Sequence, residues 1–600
     1  MKIALAQLNY HVGNFESNIA RIIEKINAAK ELGADLVVFA ELAICGYPPR
    51  DFLEFYDFIN QCYKGIETIA EHCKGIAAIV GCPSVNNEED GKELFNSAFF
   101  LNEGKIQQII NKSLLPNYDV FDEYRYFEPN KSFRIIRYKG LKIALTICED
   151  LWTEQASIAQ IFSEIIEKPS ARIKKENLTH LKETVLKTET YHIGDYGHGE
   201  ILNMYTVCPM DELLKYAPDL MINIAASPFN YKHAEERQRV LGGNTKKYNI
   251  PLFYVNNVGA QTELIFDGGS MVINAGGEML DEMKYFEEDF VLYNVKKVHK
   301  QYVAERLSPR DFPFRKHHLP SKIERIHSAL VLGIKDYFRK LGFTKAILGL
   351  SGGIDSAVTL VLAADALGSE NVRVLLMPSE FSSAHSVDDA IALAKNLNVQ
   401  HDIVSIADVY NSALKSLKPI FRDLPFNIAE ENIQARTRAI FLMGVSNKFG
   451  LIVLNTSNKS ETSVGYGTLY GDMCGGLSVL GDVYKTEVYE LAEFINSHEE
   501  IIPVNSILKA PSAELRANQK DSDSLPDYGI LDKILMLYIE QRKGPREIIE
   551  MGYNEQLVKR VLKMVNANEY KRYQTPPILR VSLKAFGMGR RMPIEGKYLS

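Results

Sequence analysis

Residues 346–367 read AILGLSGGIDSAVTLVLAADAL: an apolar run, a turn with two adjacent glycines, and a second apolar run of helical length. This order leaves little choice of local structure. A strand ends, the chain turns tightly at Gly352 and Gly353, and a helix begins whose unpaired N–H groups open onto the turn. Ser351 and Ser356 add hydroxyl donors and the helix N-terminus adds positive potential, so the turn is a cradle for phosphate. It lacks the lysine of the G-x-x-x-x-G-K-[ST] pattern, so γ-phosphoryl transfer is not the chemistry it demands. Without its surroundings, the segment also fits a plain strand-to-helix turn capped by Ser351 or Asp355.

Strand and helix signals alternate around this turn. An amphipathic helix spans Ile323 to Leu341, followed by the 346–350 strand, VRVLLM, a helix around 386–397, HDIVSI, a long helix over 429–449 and LIVLN. Such alternation predicts a doubly wound parallel sheet. Before it, from Met1 to about Leu292, the runs KIALAQL, LVVFA, KIALTI, LMINIA and PLFYV predict a strand-rich α/β domain, with one hairpin turning at Asn102-Glu103-Gly104. The stretch 293–320 mixes charges with Pro309, Pro313 and Pro320 and reads as a linker. Residues 153–216 are polar and broken by Pro169 and read as an inserted excursion. The expected organisation is therefore one domain over 1–292, a linker, and a second domain over 321–600.

The 600 residues exceed the ~150 typical of one domain several-fold, which agrees with two. The 69 basic and 76 acidic side chains leave a formal charge of −7. That offers no basic field for a phosphate backbone, so nucleic acid is not an expected partner. No apolar run approaches the ~18 residues of a membrane span, and Gln7 and Asn9 break the N-terminal run too early for a secretory leader. A soluble cytoplasmic chain is expected. Seven scattered cysteines, with no C-x-x-C pair and no histidine cluster at zinc spacing, make a structural zinc and disulfides unexpected.

The SGGIDS turn resembles the signature of the ATP pyrophosphatase family. The stretches EENIQARTR (430–438), NTSNKSE (455–461), GYGTLYGD (465–472), GDVYKTEVYEL (481–491), APSAEL (510–515) and KRYQTPP (571–577) resemble NAD synthetase in order and spacing. The resemblance implies that ATP is bound by Gly349, Leu350, Ser351, Gly352, Gly353, Ile354, Asp355 and Ser356, with Thr456, Lys485 and Ser512. It implies deamido-NAD binding by Asn432, Arg436, Glu461 and Lys571. Asp355 and Glu461 are hard oxygen ligands suited to Mg²⁺ beside a leaving pyrophosphate.

In the first half, FAELAICGYPPRD places Glu41 just past a strand. NKSLLPNYDVFDEYRYF supplies Lys112, Tyr118 and Glu123, and KIALTI ends at Cys148. A thiol becomes a nucleophile when a base takes its proton and a cation favours the thiolate, which Glu41 and Lys112 can do. A lone cysteine at a strand end is ordinarily a small buried hydrophobe. The constellation, however, resembles the nitrilase or carbon–nitrogen hydrolase superfamily, with its Glu-Lys-Cys triad. That resemblance implies an α-β-β-α sandwich and glutamine binding by Tyr118, Glu123, Ser227 and Lys232. One departure stands out: relatives carry S-P-F-x-x-G-K, whereas this chain has SPFNYKH, with its lysine one residue early.

Together the halves resemble the glutamine-dependent NAD synthetase family. This implies a glutaminase whose ammonia is used, with ATP and Mg²⁺, to amidate deamido-NAD, in a homo-oligomer whose other partners are small molecules. Two other readings are another ATP-pyrophosphatase amidotransferase acting on a purine or tRNA base, and an inactive assembly subunit.

Overall fold

Nearly every strand of the N-terminal half is apolar on both faces, so each sheet must be covered on both sides. The computed structural model describes residues 1–152, 205, 207–298, 301–307 and 319–597. Its first sheet contains β1 (Lys2–Gln7), β2 (Leu36–Val38), β3 (Ala77–Val85), β4 (Leu94–Asn102) and β5 (Lys105–Asn111). The second contains β6 (Ile136–Tyr138), β7 (Leu141–Ile147), β8 (Leu220–Ala225), β9 (Leu252–Asn256), β12 (Met271–Ile273) and β13 (Met279–Glu282), while β10 (Val258–Gln261) and β11 (Leu264–Asp267) form a separate hairpin. The two sheets share one core, in which Ile3, Leu5 and Val37 meet Ile143, Ile222 and Phe253. Helices Phe15–Glu31 and Tyr56–His72 cover the first sheet, and Pro209–Leu214 and His233–Tyr248 the second. This is the α-β-β-α sandwich that the nitrilase resemblance implies. The β4–β5 turn has positive φ at both Glu103 (51°) and Gly104 (74°), the conformation that matches strand twist.

Two expectations need correction. The expected linker is in part sheet: β14 (Asp289–Val298) and β15 (Gln301–Arg306) extend the first sheet to the order β15–β14–β1–β2–β3–β4–β5. Val291, Tyr293 and Val295 alternate inward with register Tyr293↔Ile3, a period of two that the basic residues and prolines downstream obscure. Residues 308–318 lie outside the described residues. The expected insertion also ends early, because Met210 and Leu213 of helix Pro209–Leu214 are buried in the core. Residues 153–204 lie outside the described residues.

The C-terminal half is a parallel sheet of order β18–β17–β16–β19–β20, formed by β16 (Ala346–Gly349), β17 (Val372–Leu376), β18 (Gln400–Ile403), β19 (Ile452–Asn455) and β20 (Leu477–Ser478). The doubly wound expectation holds. The chain first builds outward from β16 to β18, then crosses back to β19, so the β16 and β19 loops diverge and open a crevice at their carboxyl ends. A helical lobe follows, including Tyr528–Leu535 and Glu555–Ala567, packed on Leu531, Ile534, Val558 and Leu562.

The halves are joined by apolar packing. Phe229, Tyr231, Ala260 and Ile265 cluster with Ile326, Ala329, Leu330 and Ile334 of helix Lys322–Leu341. Buried Asp336 of that helix accepts from Asn9 Nδ2 and Ala260 N, both at 2.7 Å, and Arg325 pairs bidentately with Glu235 at 2.9 and 2.7 Å. Asp119, next to Tyr118, pairs with Arg580 and Lys584.

Candidate active sites

Three strand ends converge in the N-terminal half. Glu41 follows β2, Lys112 follows β5 and Cys148 follows β7. Glu41 and Lys112 are fully buried and Cys148 nearly so. Gly81 makes room for the Glu41 loop: a Cβ there would stand 2.3 Å from Leu42 N. Cys148 itself adopts φ 44°, a left-handed conformation that costs a non-glycine residue about 1 kcal/mol or more and thrusts the side chain out of the strand line.

Lys112 Nζ donates to Glu41 Oε1 at 2.7 Å and to both oxygens of Glu123 at 2.9 and 2.8 Å. Asn96 Nδ2 donates to Glu41 Oε1 (2.7 Å), Ala226 N to Glu41 Oε2 (2.8 Å), and the Tyr47 hydroxyl to Glu123 Oε1 (2.8 Å). Burial works against the Lys112 ammonium, but Glu123 and Glu41 hold it well above the ordinary lysine range. Burial likewise pushes the Cys148 thiol far up, with Glu41 adding to this and Lys112 opposing it. Burial and Glu41 thus both favour the thiol over the thiolate in the resting site. Glu123, expected to bind glutamine, instead gives both oxygens to Lys112 and so positions the cation. Asp150 accepts from Ile147 N (3.0 Å), Ser113 N (2.9 Å) and Leu114 N (2.9 Å), tying the Cys148 turn to the Lys112 strand end.

Next to the thiol, buried Glu149 accepts the hydroxyls of Tyr118 at 3.0 Å and Tyr205 at 3.1 Å. Burial raises its carboxyl to about 7, against the opposing pull of Lys112. Below that pH the group is neutral and above it anionic, so a cationic substrate group is held better as pH rises. In the glutaminase that the sequence resemblance implies, kcat/KM for glutamine should therefore climb through about pH 7, and a Glu149→Gln variant should lose that rise along with affinity. Initial-rate measurements between pH 6 and 8 check this.

Ser227 lies beside the Glu41 partner Ala226. Its N–H donates to Asn256 Oδ1 at 2.8 Å, and its hydroxyl shares a 2.6 Å hydrogen bond with His233 Nε2. Lys232 is corrected: it is exposed at the start of helix His233–Tyr248, because the turn before the helix points position 232 outward and 233 inward. Sequence reasoning missed Asn96, Glu149, Tyr205 and His233. Only Glu149 carried a signal, its adjacency to Cys148.

In the C-terminal half, one cavity occupies the β16–β19 crevice. Of the expected nucleotide residues, Gly349, Leu350, Ser351, Gly353, Ile354, Asp355, Ser356, Thr456, Glu461, Lys485 and Ser512 line it. Gly353 N donates to Ser351 Oγ at 3.2 Å, and the Ser356 hydroxyl closes the turn on Gly353 O at 3.0 Å. Gly352 has φ 78°, and a Cβ there would be 2.1 Å from Ser386 O, so both backbone and space require glycine. Asp355 accepts Asn458 Nδ2 at 2.9 Å and pairs with Lys485, which lies 3.8 Å from Glu461 Oε1. Burial and the nearby Asp355 carboxylate push Glu461 up to about 8.

Asn432, Arg436 and Lys571 do not line this cavity. They brace the 465–470 segment instead: Asn432 accepts the Thr468 hydroxyl (2.7 Å), Arg436 Nε donates to Leu469 O (3.1 Å), and Lys571 Nζ donates to Gly465 O (2.7 Å) and Gly467 O (2.9 Å). The basic side chain that helix Ile428–Phe449 turns into the wall is Arg438.

Comparison with known proteins matches both halves of the chain. Residues 2–164 match the carbon–nitrogen hydrolase family and residues 326–575 match NAD synthase. The chain is 40% identical to the glutamine-dependent NAD(+) synthetase of Synechocystis sp., covering 99% of this chain and 98% of that protein. It is 37% identical to that of Thermotoga maritima, covering 100% and 99%. The solved structure of glutamine-dependent NAD+ synthetase from Acinetobacter baumannii in complex with adenosine diphosphate superposes with a TM-score of 0.70 at 36% identity, over 99% of this chain and 98% of that one. Since these relatives match end to end, across both catalytic halves and the junction between them, the chain belongs to the glutamine-dependent NAD(+) synthetase family.

Proposed function

We propose that the two sites act as one amidotransferase, converting deamido-NAD, ATP and glutamine into NAD, AMP, pyrophosphate and glutamate. The observation that carries this reading is the buried Glu41–Lys112–Cys148 constellation in the same chain as a phosphate cradle at a sheet switch point.

In the first half, the Cys148 sulfur attacks the side-chain amide carbon of glutamine as Glu41 takes the thiol proton. Lys112, fixed by Glu123, stabilises the oxyanion. Glu41 returns the proton to the departing ammonia, then activates the water that frees the glutamyl thioester. Tyr118 and Ser227 orient the amino-acid end, with Glu149 receiving its ammonium.

In the second half, the Ser351–Ser356 turn holds the ATP phosphates, and Lys485 and Arg438 supply positive charge beside them. The nicotinate carboxylate attacks the α-phosphorus and expels pyrophosphate, and ammonia then displaces AMP. Asp355 and Glu461 fit a divalent cation, since two carboxylates close enough for one to raise the other gain from a cation between them. Among the described residues no cluster of three or more metal-binding side chains exists. Mg²⁺ held there would take its remaining ligands from phosphate and water and would neutralise the pyrophosphate.

The apolar residues Ile420, Leu424, Phe426, Ile428, Ile440 and Phe449 are all more than half exposed around helix Ile428–Phe449, an extent of bare surface that suits a second copy of the chain. A homo-oligomer built on this face would also bring Asn432 and Arg436 near a neighbouring molecule. Sedimentation should give more than one copy, with Ile428→Glu weakening the assembly; a monomer at micromolar concentration would contradict it. No helix among the described residues is long and apolar enough to cross a membrane. The seven free cysteines suit a reducing compartment such as the cytoplasm.

Assaying NAD and AMP formation with glutamine or with ammonium tests the whole reading. NAD from both sources is expected, and none from either would refute it.

A further inference from the structure

We infer that Glu41 exchanges protons through one oxygen only, Oε2, and that Asn96 is the positioning residue that reserves it. The inference rests on the glutaminase reading above and adds to it a residue outside the Glu-Lys-Cys triad, on a strand that supplies none of the three.

Each carboxylate oxygen has two in-plane lone pairs and so accepts two well-aligned hydrogen bonds. Glu41 Oε1 has both filled, by Lys112 Nζ and by Asn96 Nδ2, each at 2.7 Å. Among the described residues Oε2 accepts one, from Ala226 N at 2.8 Å, and keeps a lone pair for a proton. The two oxygens also face different sheets. Asn96 on β4 and Lys112 after β5 hold Oε1 toward the first sheet, whereas Ala226 stands just past β8 of the second. Strand β8 runs parallel to β7 with Ile224 opposite Ile147, so Ala226 and Cys148 leave neighbouring strand ends together. The open side of Glu41 is therefore the side on which the thiol stands.

The chemistry of Asn96 suits this place. Its side chain is fully buried, and Nδ2 also reaches Glu123 Oε2 at 3.4 Å, so one neutral group serves both carboxylates that share the Lys112 ammonium. A third carboxylate there would repel the other two, and a second cation would compete with Lys112. Turned the other way, the amide oxygen would meet two carboxylate oxygens, so only one orientation of the group is allowed. The Asn96 backbone carbonyl accepts Lys112 N at 2.8 Å, so the same residue also registers the strand end from which Lys112 reaches in.

As the Cys148 sulfur bonds to the amide carbon, its proton moves to Oε2 and the carbonyl electron pair moves to oxygen. When the C–N bond breaks, the Oε2 proton passes to nitrogen and ammonia leaves. Water attacking the thioester gives a proton to Oε2, and the sulfur regains it as the C–S bond breaks. With Oε1 left open, the carboxylate can turn or take the proton on the side away from sulfur, and a reacting group misplaced by about 1 Å costs about 100-fold in rate.

Asn96→Leu keeps the branched shape and loses the donor. It should lower kcat for glutamine hydrolysis about 10- to 100-fold with KM within about twofold, and leave ammonium-supported NAD formation near wild type. Alkylation by iodoacetamide, followed on the Cys148 peptide, needs the thiol proton removed and no glutamine, and should slow by a similar factor. In a Glu41→Gln background, Asn96→Leu should change the alkylation rate no further, because it acts through Glu41. Faster alkylation would show a loosened fold in place of a misplaced base and would overturn the assignment. So would an unchanged kcat, a loss confined to KM, or the full loss repeated in the Glu41→Gln background. If Asn96→Leu also loses ammonium-supported synthesis, Asn96→Ser takes the same comparisons. Wild-type protein that hydrolyses no glutamine would defeat the glutaminase reading itself, a result distinct from a working glutaminase that is indifferent to Asn96.

Discussion

Cys148→Ala is expected to abolish glutamine-supported NAD formation, by about 10³-fold or more, while ammonium-supported formation stays within about twofold of wild type. The substitution removes the sulfur, whose proton is strongly held by burial and by Glu41, and leaves the ion pairs of Lys112 intact. No buried charge loses its partner, so the variant should fold and keep the junction with the second half. Parallel assays of NAD with each nitrogen source make the comparison. Loss of both activities would mean that Cys148 serves more than the glutamine site. Retained glutamine-supported synthesis would remove it as nucleophile.

Asp355→Asn is expected to produce the mirror image. Its carboxylate pairs with Lys485 and accepts from Asn458, and it is one of the two carboxylates suited to hold Mg²⁺. Neutralising it leaves the buried Lys485 with only the more distant Glu461, and places an amide where a cation and phosphates should meet. Pyrophosphate release and NAD formation should fall about 10²-fold or more with either nitrogen source, given the several kcal/mol that charge complementarity at a reacting phosphate supplies. Glutamine hydrolysis should continue. Synthesis at more than a tenth of the wild-type rate would separate Asp355 from the reacting phosphates.

Much of both sites was legible in the sequence because their residues follow strands. Glu41, Lys112 and Cys148 each stand within three residues of an apolar run, and Asp355 follows the glycine turn directly after β16. Side-chain direction at helix starts and on helix faces was not legible. The one-residue difference between Lys232 and His233 decides which points inward, and it depends on how the turn enters helix His233–Tyr248. Asn432 and Arg436 do share a helix face, as their spacing requires, but packing rotates that face toward the 465–470 segment and turns Arg438 to the cavity. The β14–β15 hairpin was hidden for a different reason: its charged residues Lys296, Lys297, Glu305 and Arg306 fall on both faces, and its apolar alternation only has meaning once β1 is beside it.

The most direct test of a single amidotransferase is isotopic. At neutral pH free ammonia is mostly ammonium and not a nucleophile, so nitrogen passed from the Cys148 site to the Asp355 site should reach the product before it mixes with solvent. NAD made from amide-¹⁵N glutamine in an excess of unlabelled ammonium should carry mostly ¹⁵N in its new amide. An amide diluted to the isotope ratio of the bulk ammonium pool would show that the two halves work side by side without a handoff, and would contradict this account.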